Sequence, residues 1–153
     1  MDPRPQVPSA LLLAVDHVGI AVPDLEAAIA FHVDVLGLEL RHREVNLEQG
    51  VAEAMLAPVG SPAGSTQIQL LAPLTEESPI GRFLDRSGPG VQQLAYRVRD
   101  VAAAAHELRQ LGLRLLYDFA RTGTGGSLVN FVHPSDTGGV LIELVEVVER
   151  PVE

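Results

Sequence analysis

Residues 15–22 read VDHVGIAV, and residues 90–98 read GVQQLAYRV. Both stretches are short and mix apolar with polar residues, which is typical of half-buried strands. The first carries His17 where the second carries Gln93. The two stretches therefore predict one strand that occurs twice in the chain, with an imidazole at one copy and an amide at the other.

The similarity extends outward from these strands at nearly constant spacing. The further pairs are Pro23-Asp24-Leu25 with Arg99-Asp100-Val101, Leu36-Gly37 with Leu111-Gly112, and QIQLLAP (67–73) with VLIELVE (140–146). In the last pair Gln69 matches Glu143. An internal repeat of this kind points to a duplicated unit of structure.

Each repeat predicts the element order βαβββ. The first half predicts a strand at 13–22, a helix that Asp24 caps and Gly37 ends, and strands near 38–46, 53–59 and 66–72. The second half predicts a strand at 91–98, a helix from Asp100 to Leu111, and strands near 113–118, 127–133 and 139–147. The expected fold class is α+β, with two paired βαβββ modules.

The predicted domain organisation follows from the same pattern. It consists of a flexible tail at 1–9, one domain at 10–147 and a C-terminal tail at 148–153. Within the domain, module one spans about 13–73, a linker with a short helical turn spans 74–89, and module two spans about 90–147. A module of this size buries a core poorly alone, so we expect the two to pack together.

Composition excludes several kinds of chemistry. The chain has no cysteine, which removes thiol nucleophiles, disulfides and thiolate metal sites. All eleven basic residues are arginines, so Schiff-base chemistry and lysine-dependent phosphate loops are excluded as well. The net charge of −9 disfavours nucleic acid as a partner. LLLAV (11–15) is too short to span a bilayer and the preceding residues do not resemble a signal peptide, so we expect a cytoplasmic protein.

Several stretches resemble a known family. They are DHVGIAVPDLEAAIAFHVDVLG (16–37), NLEQGVAEAML (46–56), QIQLLAPLTEESPIGRFL (67–84), AYRVRDV (95–101), LLYD (115–118), GTGGSLVNFVHP (123–134) and GVLIELVE (139–146). Together they resemble the vicinal oxygen chelate superfamily of glyoxalases, bleomycin resistance proteins and dioxygenases, and most of all its methylmalonyl-CoA epimerases. The resemblance implies a curved mixed-sheet cup, one divalent metal ion per chain, an acyl-CoA or similar acidic substrate, and a homodimer.

The resemblance also implies roles for individual residues. His17, Gln69, Gln93 and Glu143 match the metal ligands, and Glu53 matches the general base. The family pattern has histidine at the position of Gln93. This exchange leaves one nitrogen and three oxygen donors, which lowers the preference for Zn, Co and Ni and favours Mn or Mg.

Other interpretations of these residues stay open. Gln93 could form a hydrogen bond within the sheet, and Glu53 could form an ion pair. Arg97, Arg121 and His133 are weaker candidates for contacts to substrate.

These residues predict a metal-dependent epimerase that interconverts 2R and 2S methylmalonyl-CoA. Glu53 would abstract the C2 proton, the metal would stabilise the enolate, and Glu143 is the candidate acid on the opposite face. The alternative is a protein of this superfamily with a diverged metal site. It would either bind a small molecule or act on another acidic or CoA-linked substrate.

Overall fold

The computed structural model describes residues 6–8 and 10–148. The predicted tails at 1–9 and 148–153 lie outside the described residues apart from 6–8 and 148. Contacts divide the chain into two compact units, Asp16–Gln93 and Met1–Val15 together with Leu94–Glu153.

The unit Asp16–Gln93 has the predicted order of elements. Its elements are β1 (Leu12–Ala21, entering from the other unit), α1 (Leu25–Ala30), a π-helical turn (Phe31–Val35), β2 (Leu38–Asn46), β3 (Val51–Pro58), β4 (Gln67–Pro73) and α2 (Pro79–Ser87). The strands are hydrogen-bonded in the order β2-β3-β4-β1. β1 is parallel to β4, while β3 is antiparallel to both β2 and β4, so the sheet is mixed.

The first helix begins and ends where the sequence predicts. The Asp24 side chain accepts a hydrogen bond from the backbone N–H of Ala27 and caps α1. After Ala30 the helix widens into the π-helical turn, in which the Leu36 N–H donates to the Phe31 carbonyl. Gly37 follows with φ of 73°, a conformation that favours glycine and stops the helix.

The two faces of β3 and β4 have different roles because side chains alternate along a strand. One face packs against α1 in a cluster of Leu25, Ile29, Ala54, Leu56, Leu70 and Ala72. The other face carries Glu53 and Gln69, and α2 packs at its end through Ile80 against Val51 and Leu71. This second face is therefore apolar at its margin and polar in its middle.

The other unit repeats the order βαβββ. Its elements are β5 (Gly90–Val98, entering from the first unit), α3 (Val101–Gln110), β6 (Arg121–Thr122), β7 (Leu128–Val132) and β8 (Leu141–Glu146). The strands are hydrogen-bonded in the order β5-β8-β7-β6. Asp100 accepts from the Ala103 N–H and caps α3 as Asp24 caps α1, so the predicted pair of equivalent helices is confirmed.

The predicted strand at 113–118 is wrong. This segment makes only an isolated bridge between Leu115 and Val132, and the two-residue β6 forms further along the chain. The reason is that side chains satisfy backbone groups that a strand would use: Asp136 accepts the Arg114 N–H, and Asn130 accepts the Tyr117 N–H. None of the described helices is long and apolar enough to cross a membrane.

Candidate active site

Polar side chains lie in neighbouring positions on the sheet face opposite α1. Gln69 on β4 is in register with Met55 on β3 and with Gly19 on β1. Glu53 and His17 each lie two residues from these partners and so share the same face. Glu53, Gln69 and His17 are each no more than 3% exposed, and Gln93 is 7% exposed. Buried polar groups of this kind need partners, so their contacts identify the site.

A chain of hydrogen bonds connects three of these residues. The Gln93 Nε2 donates to the Gln69 Oε1 at 3.0 Å, and the Gln69 Nε2 donates to the Glu53 Oε2 at 3.0 Å. The structure thus brings together Gln93, Gln69 and Glu53, which the sequence placed on three different strands. The Gln93 side chain makes the hydrogen bond within the sheet that was its second interpretation.

His17 has a carboxylate partner that the sequence analysis did not assign. Its Nδ1 lies 2.7 Å from the Asp16 Oδ2, and both side chains are buried. This contact directs the imidazole Nε2 away from Asp16 and fixes the ring. Adjacent residues on a strand point to opposite faces, so the pattern gave no reason to pair them. The signal in the sequence that could have revealed this contact is the position of Asp16 directly before the candidate ligand His17.

The remaining candidates lie in the other unit. Glu143 is 6% exposed on β8, in register with Phe131. It shares a face with Val145, which packs in a cluster with Ala95, Val129 and Phe131. A carboxylate among such residues is costly unless partnered, and Glu143 has further interactions in the structure.

Arg121 and His133 have local contacts within that unit. The Arg121 guanidinium lies over the Tyr117 ring, 3.8 Å from its centroid. The His133 Nδ1 accepts from the Ser135 N–H and caps a short 3₁₀ turn. Arg97 is half-buried on β5. These contacts give His133 a structural role, while the exposed edge of Arg121 stays accessible to an anionic ligand.

The donor atoms on this sheet face are mostly oxygens, with the imidazole of His17 as the nitrogen donor. Among the described residues, no group of three His, Cys, Asp or Glu side chains converges. Gln69 and Gln93 add amide oxygens to the donor set on this face. His17 fits because metal-binding histidines ordinarily hold a carboxylate through the second ring nitrogen, as it does with Asp16. The residues present thus fit an oxygen-rich site with a single imidazole.

The fold defines a protein of two βαβββ modules with buried polar residues on one sheet face, and comparison with known sequences agrees with this fold. Residues 16–131 match the Glyoxalase/Bleomycin resistance protein/Dioxygenase superfamily, so the chain belongs to this superfamily. Within it, several relatives at high coverage are epimerases of malonyl-CoA derivatives.

Three of these relatives illustrate the similarity. A crystal structure of methylmalonyl-CoA epimerase from Mycobacterium tuberculosis is 53% identical, with a TM-score of 0.87 and coverage of 94% of each chain. A methylmalonyl-CoA epimerase solved in complex with methylmalonyl-CoA and NH4+ is 45% identical, with a TM-score of 0.84 and coverage of 92% of this chain and 99% of that one. The ethylmalonyl-CoA/methylmalonyl-CoA epimerase of Cereibacter sphaeroides is 38% identical over 86% of this chain and 96% of its own length.

These similarities confirm two of the predictions made from sequence. The vicinal oxygen chelate fold is shared with solved epimerases that are 53% and 45% identical to this chain, so the likeness covers sequence as well as fold. Membership among the epimerases, and hence the class of isomerase, is confirmed by the same relatives.

Proposed function

We propose that this protein interconverts the 2R and 2S forms of methylmalonyl-CoA by removing and returning the C2 proton. The single observation that carries the proposal is the Glu53 carboxylate, buried on the sheet face and held by the Gln69 amide. The similarity to a methylmalonyl-CoA epimerase that was solved with this substrate supports the choice of acyl group.

The proposed reaction begins at Glu53. An ionised carboxylate accepts the C2 proton, and the electron pair of the broken C–H bond moves into the thioester carbonyl to give an enolate. The Gln69 N–H donates to one oxygen of the carboxylate and so fixes the orientation of the Glu53 side chain. Burial excludes water, which would otherwise compete for the base.

Epimerisation also requires that a proton return to the opposite face of C2. We propose Glu143 for this role because it is a buried carboxyl group on a strand of the second repeat. Arg97 and Arg121 are proposed to contact the phosphates of CoA, and His133 to lie near the substrate. Of these, Arg121 has the most exposed position.

We propose that His17, Gln69 and Glu143 bind one divalent metal ion and that Gln93 is the fourth candidate. When bound, the metal would supply positive charge to stabilise the negative charge that develops on the thioester oxygen. The carboxylate of Asp16 would keep the His17 imidazole in the orientation needed for a ligand.

The proposal is tested by proton exchange. The purified protein is assayed for bound metal and then mixed with methylmalonyl-CoA in deuterated water, with and without added Mn or Co. We expect deuterium to enter C2 at a rate that depends on enzyme and metal. Exchange at the enzyme-free rate under every metal would contradict the proposed function.

A second acyl substrate is favoured by one relative, whose name includes ethylmalonyl-CoA. The same assay with ethylmalonyl-CoA compares kcat/KM for the two substrates. Binding of either thioester without any exchange would instead favour the alternative of a binding protein with a diverged site.

We also propose a homodimer, which predicts a mass in solution of twice the 16.3 kDa of one chain.

A further inference from the structure

The Gln93 side chain lies directly over a glycine that makes room for it. A Cβ atom at Gly19 would fall 2.6 Å from the Gln93 Cγ and 3.2 Å from both its Cδ and its Nε2. Such distances are too short for any side chain at position 19 unless Gln93 moves. The backbone at Gly19 does not have positive φ, so the glycine is needed for space and not for conformation.

Glu53 determines the direction of the hydrogen bonds that follow. An ionised carboxylate can only accept, so it orients the Gln69 amide with Nε2 toward Glu53. The Gln69 Oε1 then faces Gln93, and Gln93 must present Nε2 to it. Reversing either amide would set two acceptors, or two donors, against each other. The relay therefore has one satisfied arrangement while Glu53 is ionised.

We infer that Gln93 is a positioning residue for the general base, acting through Gln69 on the Glu53 carboxylate. This inference rests on the proposed role of Glu53 in proton abstraction. It gives Gln93 a task that differs from metal binding, at the position where this chain departs from the family pattern of histidine.

The two tasks make different demands on the amide of Gln93. A positioning residue needs its N–H group directed at Gln69, as the structure has it. A ligand needs its oxygen, which is the other end of the same amide, directed at the metal. The Gln69 carbonyl oxygen has two lone pairs, so it can accept from Gln93 and still serve as a ligand itself. Positioning by Gln93 is thus compatible with a metal held by Gln69.

Two substitutions of Gln93 separate these tasks. Gln93→Met keeps the length of the side chain and removes the donor. Gln93→Glu keeps the shape and replaces the donor by an oxygen, which a metal would bind more tightly. We expect both variants to lose about 10- to 100-fold in kcat, the scale of effect that misplacing a reacting group produces. KM for methylmalonyl-CoA should stay within about threefold, since substrate contacts are not removed.

Metal binding supplies the second readout. Mn is titrated into metal-free Gln93→Met and into the metal-free unaltered protein, and binding is measured by calorimetry. The two proteins should have similar affinities for Mn. The inference would be overturned if Gln93→Glu retained full kcat and bound Mn more tightly, because Gln93 would then be a ligand. Full kcat in Gln93→Met would overturn it as well.

Gly19→Ala tests the same relay without altering any of its members. The added Cβ displaces Gln93, so kcat should fall about tenfold or more while the thermal midpoint shows that the protein is folded. In a Gln93→Ala background the Cγ is gone, and Gly19→Ala should then change kcat less than twofold. Equal losses in both backgrounds would overturn the inference, since the two residues would act independently.

Two control variants are available on β5. Gly90→Ala adds a Cβ where no atom lies within 4 Å and φ is not positive, so kcat should not change. Gln92→Met removes the amide next to Gln93, on the other face of the strand.

Failure of the proposed function would appear earlier, as absence of exchange in the unaltered protein. Failure of this inference requires an active protein whose relay variants lose nothing.

Discussion

The carboxylate of Glu53 is buried, accepts one amide N–H and lies on a sheet face opposite the helix-packed side. We predict that Glu53→Gln lowers kcat for exchange at C2 by 10²- to 10⁴-fold, because the amide cannot take a proton. Binding of methylmalonyl-CoA, measured by calorimetry, should persist. Glu48→Gln is the matched control, since Glu48 is an exposed carboxylate on the adjacent turn. Equal rates for both variants would remove Glu53 from the mechanism.

Asp16 orients His17 through a short contact to Nδ1. Because the carboxylate partners of metal-binding histidines contribute about 10- to 100-fold to affinity, Asp16→Asn should weaken Mn binding by that factor. The measurement is titration of the metal-free variant, with the exposed Asp34→Asn as control. If Asp16→Asn and Asp34→Asn bound metal equally well, His17 would not depend on Asp16 as a ligand.

Individual site residues differed in how far the sequence could identify them. His17, Gln69 and Glu143 stand at matched positions of the repeat on predicted strands, so pattern and resemblance together make them candidates. The contact of Gln93 with Gln69 depends on the absence of a side chain at Gly19, and this is a property of packing between strands. Alternation along a strand cannot reveal such a contact.

At the scale of elements, the two helices and most strands followed from local signals. Asp24 and Asp100 are caps in both the sequence pattern and the structure, and glycines with positive φ follow both helices. The segment 113–118 lacked such a local determinant. Its apolar residues predict a strand, but Asp136 and Asn130, which are distant in sequence, satisfy its backbone instead.

The contacts of Asp136 with Arg114, in the segment 113–118, predict that the stability of the fold depends on pH. The Arg114 side chain, followed by its backbone N–H, lowers the pKa of Asp136 below its ordinary value of 3.8. A carboxyl group with a lowered pKa in the folded state stabilises the fold above its ordinary pKa, and this contribution is lost as the pH falls through the lowered value. Asp136→Asn should therefore lower the thermal midpoint at pH 7, and this difference should shrink as the pH falls below 3.8.

Calorimetry or circular dichroism across that pH range measures this difference. Asp85→Asn, an exposed carboxylate of α2, controls for the general effect of removing one negative charge from an acidic chain. A constant difference between Asp136→Asn and the unaltered protein at all pH values would show that the ion pair with Arg114 is not its cause.

The whole molecule was predictable to the extent that it is duplicated. Each weak signal in one half has a counterpart in the other, so the order βαβββ could be derived twice and checked against itself. The choice of metal ion has no such redundancy. In the proposed site it would depend on the donor atoms of His17, Gln69, Gln93 and Glu143, and amide orientation is set by neighbours rather than by sequence position.

A metal ion that binds only the folded chain stabilises the whole molecule by mass action. After removal of metal with a chelator, we expect exchange at C2 to stop and the thermal midpoint to fall. Returning Mn at 100 times its dissociation constant should raise the free energy of unfolding by about 2.7 kcal/mol. Because the chain carries a net charge of −9, surface carboxylates could also bind cations, and His17→Ala separates the two effects. This variant should lose the Mn-dependent rise, and the same rise with and without His17 would place the metal elsewhere.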